Sequence, residues 1–224
     1  MEVIKAVVFD IDGTVTPHAN SWLATTRDLG GSVEEHKVMF FEGFKGGQVS
    51  YEDSKKRFIK FWQATGKANR SHLKDIFESW PVFPEAQELI AFLKEKGLYV
   101  AFITGSMGIY AKIVAAKFSV PDYYANSELV FDGDGNFVDF DFPRDESQRK
   151  VEHLHAFCKK RSLKPSNVVA LGDSANDVGI FSETQRGIIV GLEKPEVLKK
   201  VAWKEADSLL EVKELLAPFL SQQL

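Results

Sequence analysis

The stretch Val7-Val8-Phe9-Asp10-Ile11-Asp12-Gly13-Thr14 decides how the rest of the chain is read. With Val3-Ile4-Lys5-Ala6 before it, it forms a nearly unbroken apolar run, rich in β-branched residues and too short to span a bilayer. Such a run reads as a strand buried on both faces, as at the centre of a parallel sheet. It ends in two carboxylates one residue apart, followed by a glycine and a hydroxyl. Open α/β sheets bind ligands just beyond the carboxyl ends of their strands. Two acids there carry a desolvation cost that a divalent cation relieves. A plain polar turn after a strand is the alternative, since Asp and Gly are common in turns. The position directly after a buried strand favours the ligand-binding reading.

Downstream the pattern changes at Pro17, and residues 21–80 show no convincing strand. Trp22, Leu23, Thr26 and Leu29 recur at helical spacing before Gly30-Gly31, and Val38, Phe41 and Phe44 do so before Gly46-Gly47. Ser50 followed by Asp53 makes a capping-box pattern for a helix with Tyr51, Ser54, Phe58, Phe61 and Trp62 on one face. Ser71 is expected to open a further helix through Leu73, Ile76, Phe77 and Trp80. Aromatic residues at this spacing read as bundle core rather than a stacking platform. Residues 17–80 are therefore expected to form a small helical domain inserted into a core made of 1–16 and 81–224.

From Pro84 helix and strand alternate, the pattern of a doubly wound α/β fold. A helix with Ala86, Leu89, Ile90 and Leu93 inward leads to a strand from Leu98 to Ile103, ending in Thr104-Gly105-Ser106. A helix through Ile109, Ile113 and Phe118 follows, then a short extended piece near Tyr123-Tyr124. Residues 128–142 read as a β-hairpin with its turn at Asp132-Gly-Asp-Gly. A calcium loop is excluded there, because Phe137 and Pro143 stand where that pattern needs Gly and Glu. A helix from about Glu146 carries Lys150 in its first turns, at a partly exposed end, with Val151, Leu154 and Cys158 inward. His153 and His155 are two apart and make a poor metal pair. The strand Val168–Leu171 ends in Gly172-Asp173-Ser174-Ala175-Asn176-Asp177. A last strand, 187–190, leads to two short amphipathic helices.

Composition narrows the class. The 224 residues are 44% hydrophobic and 27% charged, with net charge −4, ordinary for a globular protein and no reason to expect nucleic-acid or membrane partners. Residues 17–80 are net +2 and the remainder net −6. The single Cys158 excludes an internal disulfide and fits a reducing compartment. With no signal-like segment at the amino terminus, a cytoplasmic protein is expected, monomer or homodimer.

Asp10, Asp12, Thr104, Asp173 and Asp177 stand after strands, and Lys150 stands on a neighbouring helix. If the strands are parallel and adjacent, these groups converge on one crevice. Oxygen ligands with a lysine and a hydroxyl suit Mg²⁺ and an anion between metal and lysine. The set, Asp10-Ile-Asp-Gly-Thr14, Ile103-Thr104-Gly105-Ser106, Lys150 and Gly172-Asp173-Ser-Ala-Asn-Asp177, resembles the four motifs of the haloacid dehalogenase superfamily of hydrolases. The resemblance covers nearly the whole chain, the insert matching that superfamily's helical cap. Gly-Asp-Ser-Ala-Asn-Asp and Gly47-x-x-Ser-Tyr-Glu are most similar to the phosphoserine-phosphatase-like branch. It implies a three-layer Rossmann-like parallel-sheet core.

The resemblance further implies phosphoryl transfer from a small-molecule phosphomonoester, with Asp10 as nucleophile and Asp12 as general acid, then base. Thr104, Gly105, Ser106, Lys150 and Asn176 would hold the phosphoryl group. Asp10, the Asp12 carbonyl and Asp173 would hold Mg²⁺, with Asp177 in the outer shell or orienting Lys150. Dehalogenating members lack the second acid, so Asp12 points to phosphate esters. A phosphomutase would carry the same motifs, and a phosphate-binding receiver-like regulator is the non-enzyme rival. Receivers carry their acceptor Asp after a later strand and have no cap. In phosphoserine phosphatases a loop acid meets the substrate ammonium and a cap arginine its carboxylate. Here the loop Thr16-Pro-His-Ala-Asn20 has no acid, and Arg57 lies near the arginine's position with Phe58 in its place. The expected substrate is therefore another phosphomonoester, contacted by His18, Asn20, Lys45 and Arg57, with phosphoserine phosphatase proper as the alternative. Glu42 or Glu52 could supply a carboxylate.

Overall fold

The computed structural model describes residues 3–40 and 49–220. Its central strand β1 (Ala6–Phe9) is fully buried and pairs in parallel with β2 (Tyr99–Met107) on one side and β6 (Val168–Gly172) on the other. The six-stranded parallel sheet has the order β3-β2-β1-β6-β7-β8, with β3 at Asp122–Ser127, β7 at Gly187–Val190 and β8 at Ala202–Ala206. The chain thus reverses direction across the sheet at β1, which opens a crevice at its carboxyl end.

Strand alternation builds the three layers. Val7 and Phe9 pack with Leu89, Ile90 and Leu93 of α5 (Pro84–Glu95), with Tyr110 and Val114 of α6 (Gly108–Lys117), and with Val212 and Leu216 of α10 (Leu209–Leu220). Ala6 and Val8 face the other way, toward Val151 and Leu154 of α7 (Glu146–Arg161), Ile180 and Phe181 of α8 (Val178–Thr184), and Leu198 of α9 (Glu196–Lys199). A residue shift of one would move each set to the opposite face.

Between β1 and α5 lie α1 (Ser21–Asp28), α2 (Val33–Met39), α3 (Tyr51–Ala64) and α4 (Arg70–Ser79). Ser50 caps α3 by accepting from the Asp53 amide at 3.1 Å, and its hydroxyl donates to Asp53 Oδ2 at 2.7 Å. Helix α4 begins one residue before the expected Ser71, because Asn69 accepts from the His72 amide at 2.9 Å and takes the cap. The expected helical turn through Phe41 and Phe44, with Gly46-Gly47, lies outside the described residues. The antiparallel strands β4 (Leu129–Phe131) and β5 (Phe137–Phe140) form the hairpin. Asp132 Oδ1 accepts from the amides of Asp134 and Asn136 at its turn.

One element near the carboxyl end differs from expectation. Residues 202–206 are an edge strand rather than helix. Lys204 and Glu205 blunt this edge with charge, and that polarity is what masks a strand in the sequence. The hairpin packs on the insert: Phe137 lies 5.3 Å from Trp62, and Phe140 lies 5.4 Å from Trp22 and 5.5 Å from Phe58, centroid to centroid. Tyr51 Oη donates to the Phe142 carbonyl at 2.8 Å and Lys55 pairs with Asp139 at 2.9 Å.

Candidate active site

Parallel pairing does the first work of assembly. Phe9 is in register with Phe102 and with Leu171, so Asp10 and Asp12 just past β1, Asp173 just past β6 and Thr104 lie at one level, although β2 runs on through Thr104 to Met107 instead of ending at Ile103. Together with Gly105, Glu146, Ser174 and Asn176 from the core and Ala19, Asn20, Trp22 and Phe40 from the insert, they line a hollow of about 190 Å³.

Lys150 is the positive centre behind it. The side chain is wholly buried, 2.6 Å from Asp177 Oδ1 and 3.0 Å from Asp10 Oδ1. Burial opposes its charge, but Asp10 and Asp177 more than compensate and hold it firmly protonated. The expectation that it sits at a partly exposed helix end is therefore wrong. The first turn of α7 enters under the sheet's carboxyl edge, so even an early helical position is interior.

Asp12 has a different setting. The backbone N–H of Ser21, the first residue of α1, donates to Asp12 Oδ2 at 2.8 Å. Burial and the neighbouring Asp10 charge push its carboxyl up to about 7, against the pull of Ser21 and Lys150. Asp173 is likewise pushed up, by burial and by Asp10 and Asp177. Asp177 is raised by burial and Asp10, with Lys150 opposing. Its Oδ2 accepts from the Ser174 amide at 3.3 Å, so both of its oxygens are engaged by protein donors.

One ligand atom each of Asp10, Asp173 and Asp177 lies within 4.8 Å of the others. Asp10 Oδ1 is buried against Lys150, and Asp173 Oδ1 is buried and accepts no hydrogen bond among the described residues. Clustered, dehydrated carboxylate oxygens of this kind fit a hard divalent cation. The Asp12 side chain is not in this cluster, being turned to Ser21. Gly13 makes room for it: at φ +70° a side chain is strained, and a Cβ would stand 2.1 Å from Asp173 Oδ2.

A family model described as haloacid dehalogenase-like hydrolase matches residues 4–183. The chain belongs to the haloacid dehalogenase-like hydrolases. It is 26% identical over 218 residues to the phosphoserine phosphatase of Methanocaldococcus jannaschii, covering 94% of each protein. It is 25% identical over 206 residues to that of Archaeoglobus fulgidus, covering 88% of this chain and 55% of the relative. A solved structure described as a phospho-aspartyl intermediate analogue of phosphoserine phosphatase superposes with TM-score 0.74 at 22% identity, over 96% of this chain and 99% of that one. No helix among the described residues is long and apolar enough to cross a membrane.

In this haloacid dehalogenase-like hydrolase the expected residues separate into two groups. Asp10, Asp12, Thr104, Gly105, Asp173 and Asn176 meet at the hollow, with Lys150 and Asp177 directly behind. Ser106 is buried and its hydroxyl meets Ser21 Oγ at 2.5 Å, not the hollow. Arg57 is a correction: it is exposed and borders a separate hollow with Gly30, Ser32, Glu35 and Lys60. Helical periodicity turns Phe58 inward and so turns Arg57 out. His18 packs tilted against Trp80, 4.5 Å between ring centroids, and does not line the hollow, and Glu52 is exposed on α3. Lys45 and Glu42 lie outside the described residues. Sequence reasoning missed Trp22, Phe40 and Glu146 as lining residues. Glu146 had a signal, since it precedes Lys150 by four positions on one helix and so shares its face.

Proposed function

We propose that this chain is a Mg²⁺-dependent phosphatase that hydrolyses a small-molecule phosphomonoester through an aspartyl phosphate on Asp10. The observation that carries this reading is the pairing of two unlike carboxylates on one loop. Asp10 lies 3.0 Å from a buried lysine, whereas Asp12 is pushed up to about 7. A carboxylate facing a buried ammonium suits the nucleophile, and one raised by burial suits the acid–base role.

In the first half-reaction Asp10 attacks phosphorus while the protonated Asp12 gives its proton to the leaving oxygen, and the ester P–O bond breaks. In the second, Asp12 takes a proton from water, the water oxygen attacks phosphorus, and Asp10 is released with inorganic phosphate. Thr104, the Gly105 amide and Lys150 would receive the charge on the phosphoryl oxygens. Asp10, Asp173, the Asp12 carbonyl and, directly or through its hold on Lys150, Asp177 would position the metal. When bound, Mg²⁺ would supply positive charge opposite the phosphoryl oxygens. Residues 17–80 would act as a cap that supplies leaving-group contacts.

The relatives named above are phosphoserine phosphatases, yet this chain's own residues support a different ester. The outward Arg57 and the acid-free loop 16–20 leave the two positions that an amino-acid leaving group is expected to meet without their partners, and Glu146 is the acid at the hollow outside the four motifs' aspartates. Asp10→Asn tests the mechanism: turnover of p-nitrophenyl phosphate with Mg²⁺ should vanish while the thermal transition persists. Substantial turnover by that variant would exclude Asp10 as nucleophile.

A further inference from the structure

A second hollow, of about 600 Å³, lies away from the reaction site, between α4 of the insert, α6 of the core and strand β4. Its volume falls within the ~300–1,000 Å³ of ordinary ligand pockets. Helix α6 explains why it exists. Tyr110, Ala111, Val114 and Ala115 are buried on one side of that helix, yet Ile109, Ile113 and Ala116 on the other side are apolar too. A helix apolar all round is expected to be covered on every side. Here α4 and β4 cover the second side only in part, leaving Ile109, Ile113, Leu129 and Phe131 as an apolar floor.

Charge is distributed unevenly around that floor. Arg70, Lys74, Lys112 and Lys117 face two acids, Glu78 and Glu128, although the chain as a whole is net −4. Both acids are engaged. Glu78 lies 3.5 Å from Lys74. Glu128 sits against the first turn of α6, where a Cβ on Gly108 would stand 2.1 Å from its Oε1 and the helix dipole favours an anion. Lys117 donates to the carbonyls of Glu78 and Trp80 at 2.9 and 2.8 Å. That leaves Arg70, whose guanidinium lies 4.6 Å from the Phe131 ring centre, and Lys112, one helical turn after Gly108. Neither forms an ion pair among the described residues. One cation comes from the insert and the other from the core, and both border apolar surface.

We propose that this groove binds a small organic anion with an apolar body, its charged head held by Arg70 and Lys112 and its body laid on Ile109, Ile113, Leu129 and Phe131. An uncharged apolar ligand would cover two cations without pairing them, and a polyanion would meet Glu78 and Glu128. A single anionic head on an apolar body avoids both costs, and the planar guanidinium of Arg70 suits a carboxylate or phosphate head. Because α4 belongs to the insert and α6 to the core, an occupant would tie the two together. The inference is independent of the phosphatase reading.

The test uses 8-anilinonaphthalene-1-sulfonate, an aromatic anion that fluoresces when bound to apolar surface, and its uncharged counterpart N-phenyl-1-naphthylamine. Folded wild-type protein should bind the sulfonate saturably, one per chain, and more tightly than the neutral amine. Arg70→Glu and Lys112→Glu should each weaken sulfonate binding by at least about tenfold, as for loss of a hydrogen bond to a charged group. Lys200→Glu makes the same charge change beside α9, on the other face of the sheet, and should leave the affinity within about twofold. All three side chains are exposed, so the variants should keep the wild-type thermal transition. Absence of saturable binding, equal affinity for the two probes, or equal weakening in all three variants would each overturn the proposal. So would an effect of only one of Arg70→Glu and Lys112→Glu, or self-association of the chain that excludes the probe. The comparison of the two probes on wild-type protein decides the matter even where a variant fails to fold.

Discussion

At the scale of single residues, Lys150 carries the sharpest consequence of burial. Its ammonium is enclosed between Asp10 and Asp177, so truncation leaves two buried carboxylates facing each other without a counter-charge. Removing one partner of a buried ion pair is far more damaging than losing a surface contact. Lys150→Ala should therefore lower kcat/KM by at least ~10²-fold, as for loss of one transition-state donor. It should also lower stability by about 3 kcal/mol in urea unfolding at neutral pH. An exposed lysine would give neither effect. Asp12 illustrates a second residue-scale point: burial and the neighbouring Asp10 charge push its carboxyl up although the Ser21 N–H and Lys150 pull it down.

At the scale of elements, α1 links insert and core through its amino end, where Ser21 reaches both Asp12 and Ser106. Behind it, Thr26 Oγ1 accepts from Trp62 Nε1 at 2.8 Å and shares a hydrogen bond with His36 Nδ1 at 2.6 Å. His36 is 2% exposed, with Phe40 and Phe58 rings 5.6 and 5.3 Å away. Burial pushes its imidazole down to about 4. The folded protein thus holds His36 neutral where the unfolded chain, at about 6.5, takes up a proton. Stability from this group is complete above about pH 6.5 and is lost as pH falls toward 4, amounting to about 3 kcal/mol. Urea unfolding at several pH values should show this loss in the wild type and a flatter profile in His36→Gln.

At the scale of the whole molecule, the sheet order places β1 between β2 and β6, and this gathers acids distant in sequence into one site. Asp12, Asp173 and Asp177 are all raised, so the metal-free fold binds more protons than the unfolded chain at neutral pH. Stability without metal should then fall as pH rises from about 4 through about 8. A divalent cation reverses that cost by binding the folded state alone, and competes with protons for the same oxygens. Millimolar Mg²⁺ should raise Tm, and more at pH 8 than at pH 5.5, in thermal scans. No Mg²⁺-dependent rise at either pH would argue against a metal at Asp10, Asp173 and Asp177.

Elements whose evidence is local are legible in the order of residues alone. An apolar run ending in Asp10-Ile-Asp12 is a buried strand with a loaded end, because β-branched packing and carboxylate desolvation act within a few residues. The periodic faces of α5 and α7 and the turn at Asp132 are legible for the same reason. Features that depend on distant partners emerge only once the chain is folded. Whether Lys150 is solvated or buried is set by Asp10 and Asp177, which lie far away along the chain. The strand at 202–206 exists because β7 pairs with it, although its half-polar composition does not announce a strand. The hairpin turns to the insert because Phe137 and Phe140 find Trp22, Phe58 and Trp62 there, and Tyr51 finds the Phe142 carbonyl. Arg57 and Glu146 exchange places as candidate contacts for one physical reason. A helix shows which residues share a face, but only packing shows what that face meets.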